Sequence, residues 1–223
     1  MSARTNTPDR ILEASRQLFN EKGYAATSLS EIAAIVGISQ GNLSYHFPAK
    51  GDLALGIIEQ ARARVRARRA NFQPGNIADD YVDHLRFAMS ITWANRFLLR
   101  DRVHFEDKVG PAETQMIADF DELHGLLIRV ADAGMLRRDT VDDLETLTRS
   151  IWVMSRYWMD YLREVEGVTD ISWANQERGM AHHFAILLPC LTAPAKQEFR
   201  DALERAKSIE QALARRDANA HAV

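Results

Sequence analysis

Apolar residues recur at three- and four-residue intervals from the start of the chain, and that spacing predicts helix after helix. Ile11, Leu12, Ser15, Leu18, Phe19 and Lys22 mark the first helix, with Gly23 as its terminator. Thr7 is placed to cap it, Pro8 suits the first helical position, and Asp9 lies in the positive first turn. A second helix is predicted from Ser28, where Ser28-Leu29-Ser30-Glu31 has the serine and glutamate of a capping box. Ile32, Ala33, Ile35 and Val36 supply its apolar side before Gly37 ends it. Ile38 and Ser39 then lead into a third stretch, Gln40 to Phe47, with Ser39 as cap and Pro48 as stop. Two short helices joined by a tight glycine-containing turn make a helix-turn-helix. Lys50 opens a long fourth helix reaching about Asn71, and Gln73-Pro74-Gly75-Asn76 breaks the pattern.

Beyond that break the periodicity stays helical. Asp79 to Asn95 carries Tyr81, Val82, Leu85, Ala88, Met89, Ile91 and Trp93, and a shorter mixed segment, Arg96 to Asp107, precedes Gly110-Pro111. Pro111 to Ala133 holds Met116, Ile117, Phe120, Leu123, Leu127 and Val130 on one stripe. Asp142 to Val165 is apolar around most of its circumference, Trp173 to Leu191 follows, and Pro194 begins a charged last helix. The expected fold is all-α: an N-terminal three-helix DNA-binding domain over residues 1–55, a connecting helix over about 50–72, and a helical domain over 76–223.

Composition narrows the class. With 46% apolar and 26% charged residues over 223 positions, the chain can bury a sizeable core and is too hydrophobic to be disordered. Cys190 stands alone, which fits a reducing compartment. Met1 to Asp9 lacks the apolar core of a signal peptide, and the longest apolar run, Phe184 to Leu188, is far too short to cross a bilayer. A cytoplasmic protein with no membrane partner is expected. The net charge of −3 conceals an asymmetry: residues 1–70 hold ten Lys/Arg against six Asp/Glu, and the remainder holds 18 against 25. A basic front suits a polyanionic partner. Half of that basic charge is Arg62, Arg64, Arg66, Arg68 and Arg69, which a solvated helix face explains as well as phosphate binding does.

The third helix carries the chemistry. A recognition helix exposes hydrogen-bonding side chains along one edge and buries the other. Leu43 and Phe47, four apart, can anchor the inner side against Ile32 and Ile38. Gln40 and Asn42 stand at the helix start, where base edges are met, and both amides can pair with adenine N6 and N7. Ser44 can read a base or leave room for one, and Gly41 either permits close approach to DNA or acts as a small spacer. Thr27 and Ser28 lie at the second helix's N-terminus, whose dipole and free amides favour phosphate. Ser28 and Ser39 are also read as helix caps, and Tyr24 as core.

The run Thr27 to Leu53, with Gly37-Ile38-Ser39, Leu43, Tyr45-His46-Phe47 and Lys50-x-Asp52-Leu53 in register, resembles the DNA-binding domain of the TetR (tetracycline repressor) family. Upstream, Phe19-x-x-x-Gly23-Tyr24-x-x-Thr27-Ser28 matches as well, so the resemblance covers about residues 8–55. It implies that Tyr45, His46 and Lys50 reach phosphates flanking the groove, with His46 packing between helices as the other reading. The family often has tyrosine where Ser44 stands.

The resemblance further implies that the C-terminal helices bind an effector and hold a homodimer together. A helix apolar on more than one side must bury more than one side. Ile151, Met154, Trp158 and Leu162, with Met180, His183, Phe184, Leu187, Leu188 and Leu191, are the expected dimer interface, ordinary core being the alternative. Met89, Trp93, Phe97, Phe105, Phe120, Leu123, Leu127, Trp152 and Tyr157 are candidates to line an apolar effector chamber. Arg96, His104, His124 and Arg156 are its candidate polar anchors, although each aromatic also reads as plain core.

Catalysis finds no support. The seven histidines form no metal-ligand spacing, and no nucleophile motif or phosphate-cradling glycine loop occurs. No metal, cofactor or enzymatic activity is expected. The expected function is a transcriptional regulator, a repressor released from a palindromic operator by a small apolar effector, with activation left open. The alternative is an all-helical small-molecule carrier or interaction protein that does not read DNA.

Overall fold

The helix boundaries follow from local capping. In the computed structural model, which describes residues 6–101, 113–139 and 143–220, helix α1 (Thr7–Lys22) is capped by Asn6, whose side chain accepts the Asp9 N–H at 2.9 Å. The cap is therefore one residue earlier than Thr7, because the asparagine oxygen reaches the same N–H and leaves Thr7 and Pro8 inside the first turn. Helix α2 (Leu29–Val36) begins at Ser28, whose hydroxyl accepts the Glu31 N–H. The Glu31 carboxylate pairs with Lys22, which holds it below its ordinary titration range. Gly37 ends α2 at φ +75°, a left-handed conformation that costs a residue with a Cβ and that glycine adopts freely.

Helix α3 (Gln40–His46) starts from Ser39, which accepts the Asn42 N–H at 3.1 Å. Helix α4 (Lys50–Ala70) is preceded by Ala49, whose N–H is taken by Asp52 at 2.8 Å. Helices α5 (Ile77–Ala94) and α6 (Phe97–Arg100) follow, and Asn76 accepts the Asp79 N–H at the start of α5. Farther on lie α7 (Glu113–Asp132), α8 (Leu144–Glu164), α9 (Trp173–Cys190) and α10 (Ala193–Ala220). Asp143 caps α8 through two backbone amides, and Ser172 and Asn175 cap α9 reciprocally.

The chain divides into two compact units, Met1–Gln73 with Ser90–Ala112, and Pro74–Met89 with Glu113–Val223. Residues 90–101 belong to the first unit although they follow the start of the second in the chain. In that first unit, Ile11, Leu18, Phe19, Ile32, Val36, Leu43, Leu53 and Ile57 form the core, joined by Phe97. Packing is close at Gly56, where a Cβ would stand 2.8 Å from a Leu12 methyl.

In the second unit, Tyr81, Val82, Leu127, Val130, Leu147, Ile151, Phe184, Leu187, Leu191 and Phe199 share one core. Its polar heart is His183. The Nε2 of His183 lies 2.8 Å from the Tyr81 hydroxyl, and its Nδ1 lies 3.0 Å from Ser155 Oγ. Burial, reinforced by the nearby charge of His84, pushes the imidazole down to about 3, and burial raises the Tyr81 phenol above its ordinary value. Both groups are held neutral.

Candidate nucleic-acid interface

The amphipathic design of α3 is explicit in the structure. Leu43 is 0% exposed while Tyr45, two positions on, is 83% exposed. Leu43 packs in the first unit's core with Ile32, and Ile38 and Phe47 lie half-buried against it. Full burial of a leucine side chain contributes roughly 1.5–3 kcal/mol, enough to fix which edge of a two-turn helix faces out. Gln40, Gly41 and Asn42 are exposed at the helix start, and Ser44 and His46 are half-buried. The His46 ring meets Tyr45 edge-on at 5.2 Å between centroids. Ser39 is exposed and serves as cap.

The turn before α2 behaves differently. Thr27 is buried, and its hydroxyl donates to Gly23 O at 2.8 Å, a bond that shapes the turn. Ser28 is exposed, with Oγ 3.1 Å from Ser30 Oγ. Lys50 does not project freely from α4. Its Nζ donates to Tyr24 O, Ala25 O and Thr27 O at 2.7, 3.3 and 2.9 Å and lies 4.6 Å from the Tyr24 ring centroid. Partial burial lowers the ammonium's titration point. All three carbonyls belong to the turn between α1 and α2.

Several ties that hold this unit together escape sequence reasoning. Arg10 in α1 donates to Val36 O at 2.6 Å, tying α1 to the last turn of α2. Asn20, buried, donates to Ala94 O at 2.8 Å and accepts the Phe97 N–H at 3.1 Å. Arg100 donates to Phe19 O and Asn20 O, and Asp101 accepts the Tyr24 N–H at 2.9 Å. The partners of Asn20, Arg100 and Asp101 lie 74 to 81 positions apart, beyond any periodicity or motif. Together they bind the segment after α5 to the end of α1 and the turn that follows. Ile35, 58% exposed, stands on the outer side of α2 although its pattern placed it inside. In a two-turn helix Ile32, Ala33 and Val36 already fill the inner side.

The expected effector residues are divided between the two units. Phe97 is fully buried between Phe19 and its neighbours in the first unit's core, with ring centroids 5.1 Å apart, so it lines no chamber. Trp93 carries Arg96 over its ring at 4.6 Å. Leu123 and Leu127 belong to the second unit's core, Met89 is half-buried, and Tyr157 is exposed. Arg156, half-buried, stands over the Tyr157 ring at 5.5 Å. His104 and Phe105 lie outside the described residues.

Phe120, His124 and Trp152 do form a cluster: the first two rings stack at 6.0 Å and Trp152 meets Phe120 edge-on at 6.2 Å. Thr148 Oγ1 lies 2.9 Å from His124 Nδ1 and itself donates to Leu144 O at 2.8 Å. A concavity of about 520 Å³ in the same unit is lined instead by Asn76, Met135, Thr192, Pro194 and Glu198, among others.

The expected dimer residues fall into two groups by burial. Ile151, Trp158, Leu162, His183, Phe184, Leu187 and Leu191 are buried within the chain's own fold, and Met154, Met180 and Leu188 are half-buried. Helix α8 is apolar on two sides, and periodicity alone cannot say which side the chain keeps for itself. The outward stripe is Val153, Tyr157, Tyr161 and Val165, four apart.

Taken together, the first unit is a helix-turn-helix with a polar outer edge and a packed inner one, attached to an all-helical body: the architecture of a DNA-binding transcriptional regulator. Among the described residues no helix is long and apolar enough to cross a membrane.

Comparison with known proteins agrees. Residues 11–57 match the model for bacterial regulatory proteins of the tetR family, and residues 62–199 match that for bacterial transcriptional repressors. The regulator AcrR of Shigella flexneri is 33% identical over 171 residues, 71% of this chain and 77% of its own length. RutR of Escherichia coli K12 is 28% identical over 171 residues, again 71% of this chain and 76% of its own. A solved TetR-family regulator from Marinobacter aquaeolei VT8 has the same fold, with TM-score 0.72 at 24% identity over 90% of this chain and 98% of that one. The chain belongs to the TetR family and is a DNA-binding transcriptional regulator.

Proposed function

We propose that this regulator is a repressor that occupies a near-palindromic operator as a homodimer and is released by a small, largely apolar effector. The observation that carries the DNA-reading half is α3: Gln40 and Asn42 stand exposed at its start while Leu43 is wholly buried. Either amide can pair with an adenine edge in the major groove, and Ser28, Ser39, Tyr45 and His46 border that edge as candidates for phosphate. One copy offers one such helix, and a two-fold pair offers two to matching half-sites.

The outward stripe of Val153, Tyr157, Tyr161 and Val165 supports a homodimer through α8, with α9 beside it presenting Arg178, Ala181, His182 and Ala185. Phe120, Trp152 and His124 support an effector site with an apolar, aromatic wall and one imidazole as its polar group. Effector control requires a ligand that prefers one arrangement of the paired recognition helices over another. The clasp of Asn20, Arg100 and Asp101 supplies a lever, since a shift of α5 pulls on α1 through it. The relatives it matches are transcriptional regulators, which supports a regulatory role in place of an enzymatic one.

Selection of bound duplexes from a random-sequence pool tests the reading, with and without a metabolite extract. Recovery of an inverted repeat whose enrichment falls with extract is expected. Asn42→Ala should relax the preference at one base pair per half-site, by about 1–3 kcal/mol. Recovery of no preferred sequence would sink the proposal.

A further inference from the structure

Resting on the effector-controlled reading, we propose that Ser155 is a polar anchor of the effector site: its hydroxyl donates to a neutral carbonyl oxygen, of a ketone, ester or amide, on an otherwise apolar ligand. Its place on α8 is the first reason. Thr148, Ile151, Met159 and Leu162 recur at three- and four-residue steps and are all buried. Ser155 falls in the middle of that stripe, turned away from the outward Val153, Tyr157 and Tyr161, yet it is exposed. A solvent-reached serine in the centre of an inward stripe marks an opening beside the second unit's core. Trp152 stands three residues before it, on the neighbouring turn, so the serine adjoins the ring cluster of Trp152, Phe120 and His124.

The direction of the hydrogen bonds that end at Ser155 is the second reason. Tyr81 is buried, and among the described residues its hydroxyl has one partner, His183 Nε2 at 2.8 Å. A buried O–H without an acceptor is costly, so Tyr81 donates and Nε2 accepts. Burial keeps the imidazole neutral, which leaves its one proton on Nδ1. That proton goes to Ser155 Oγ, at 3.0 Å. Thr148 and Ser150 give their hydroxyl protons to the carbonyl four residues back. Among the described residues Ser155 has no such bond, so its proton is the one left for a ligand. Gln176 is the third reason. It is 7% exposed, and its Nε2 meets only Met159 Sδ, a weak acceptor, at 3.8 Å. Met159 is one turn beyond Ser155, so the buried amide offers the same ligand a second donor. The ligand's carbonyl is neutral because an ion placed beside His183 meets the burial that already keeps that ring uncharged.

The test titrates full-length protein, labelled at its methionine methyls, with ketones of increasing length. Each ketone is matched by the hydrocarbon that has CH2 in place of C=O, and binding is read from the Met159 and Met180 resonances. Transfer from water alone favours the hydrocarbon, since the ketone leaves hydrogen bonds behind. For the lengths that bind, the ketone should nevertheless bind about tenfold more tightly, the size of one net hydrogen bond. Ser155→Ala, at an exposed helical position, should erase that preference and leave hydrocarbon binding unchanged. Gln176→Leu should reduce the preference while raising thermal stability, because it removes a poorly bonded buried amide. Equal binding of each matched pair to the wild type, or a preference that survives Ser155→Ala, would overturn the proposal.

Nitrogen resonances of the wild-type imidazoles decide independently of Ser155→Ala, those of His183 being the ones missing from His183→Gln. A proton on Nδ1 and none on Nε2 is expected in the free protein. The opposite tautomer would reverse the chain, spend the serine proton on the ring and refute Ser155 as a donor. Wild-type protein that binds neither ketones nor hydrocarbons would instead sink the effector site itself and the anchor with it, an outcome distinct from matched pairs that bind equally.

Discussion

Helices α3 and α8 solve the same problem with opposite outcomes. In α3 one edge is apolar and one polar, so Leu43 goes in and Gln40, Asn42 and Tyr45 stay out, with no second choice. In α8 two edges are apolar: Ile151, Trp158 and Leu162 enter the chain's own core, while Val153, Tyr157 and Tyr161 face outward. A one-sided helix tells its orientation by itself. A two-sided helix tells that a second surface is needed and leaves open which side meets it. The lesson is that α3 is specified by local pattern and α8 by its partners.

The largest expected effect comes from breaking the outward side of α8. Tyr161 is 44% exposed, so Tyr161→Asp should leave the single-chain fold intact, as the far-ultraviolet circular dichroism spectrum would report. In a two-fold pair the substitution occurs twice, and a carboxylate taken from water without a partner is heavily penalised. Light scattering should show monomers, and operator binding should fall about a hundredfold, equivalent to roughly 3 kcal/mol. A variant that stays dimeric and binds normally would remove α8's outer stripe from the interface.

What was legible in the sequence divides along the same line. Ser28, Gly37 and Ser39 are recognisable because each acts on residues three or four positions away, within the reach of a motif. Thr7 was misplaced by one position, since Asn6 has the same cap chemistry and periodicity does not resolve a single residue at a helix start. Phe97 read as a chamber residue because it is aromatic and sits among aromatics. Its burial against Phe19 depends on a clasp between Asn20 and Ala94 that no local pattern encodes. For Lys50 the resemblance implies a phosphate role, and its bonds to the Tyr24–Thr27 turn are a further feature that no motif encodes. The three carbonyls that claim it become neighbours only when α1, α2 and α4 have packed.

A middle-sized effect would sharpen the contrast between the two cores. The first unit's buried hydroxyls are satisfied four residues back along the chain, as Ser15 on Ile11 O and Thr27 on Gly23 O. The second unit's His183 instead ties α5 to α8 through Tyr81 and Ser155. Folded, it titrates at about 3, whereas an unfolded histidine titrates near 6.5. Between those values the unfolded chain holds a proton that the folded one refuses, so stability from this group is complete above pH 6.5 and declines as the pH falls toward 3. Wild type should lose up to about 1.4 kcal/mol more per pH unit than His183→Gln across that window, measured by urea denaturation. Parallel curves for the two proteins would mean that His183 takes up a proton without unfolding.

The smallest effect probes the one-sided helix at its weakest residue. Gly41 lies inside α3, where glycine costs about 1 kcal/mol relative to alanine. The structure offers no packing reason for it: a Cβ there would meet only Ser39 Oγ, at 3.9 Å. Gly41→Ala should therefore stabilise the free protein by about 0.4–1 kcal/mol and raise its melting temperature. It stands between Gln40 and Asn42 on the exposed start of the helix, so the same methyl would meet DNA before it meets protein. The expected outcome is a more stable regulator that binds its duplex less tightly, a combination that damage to the fold cannot produce. Higher stability with unchanged binding would make Gly41 a spacer, and the base-reading edge would then start farther from the duplex than Gln40 and Asn42 require.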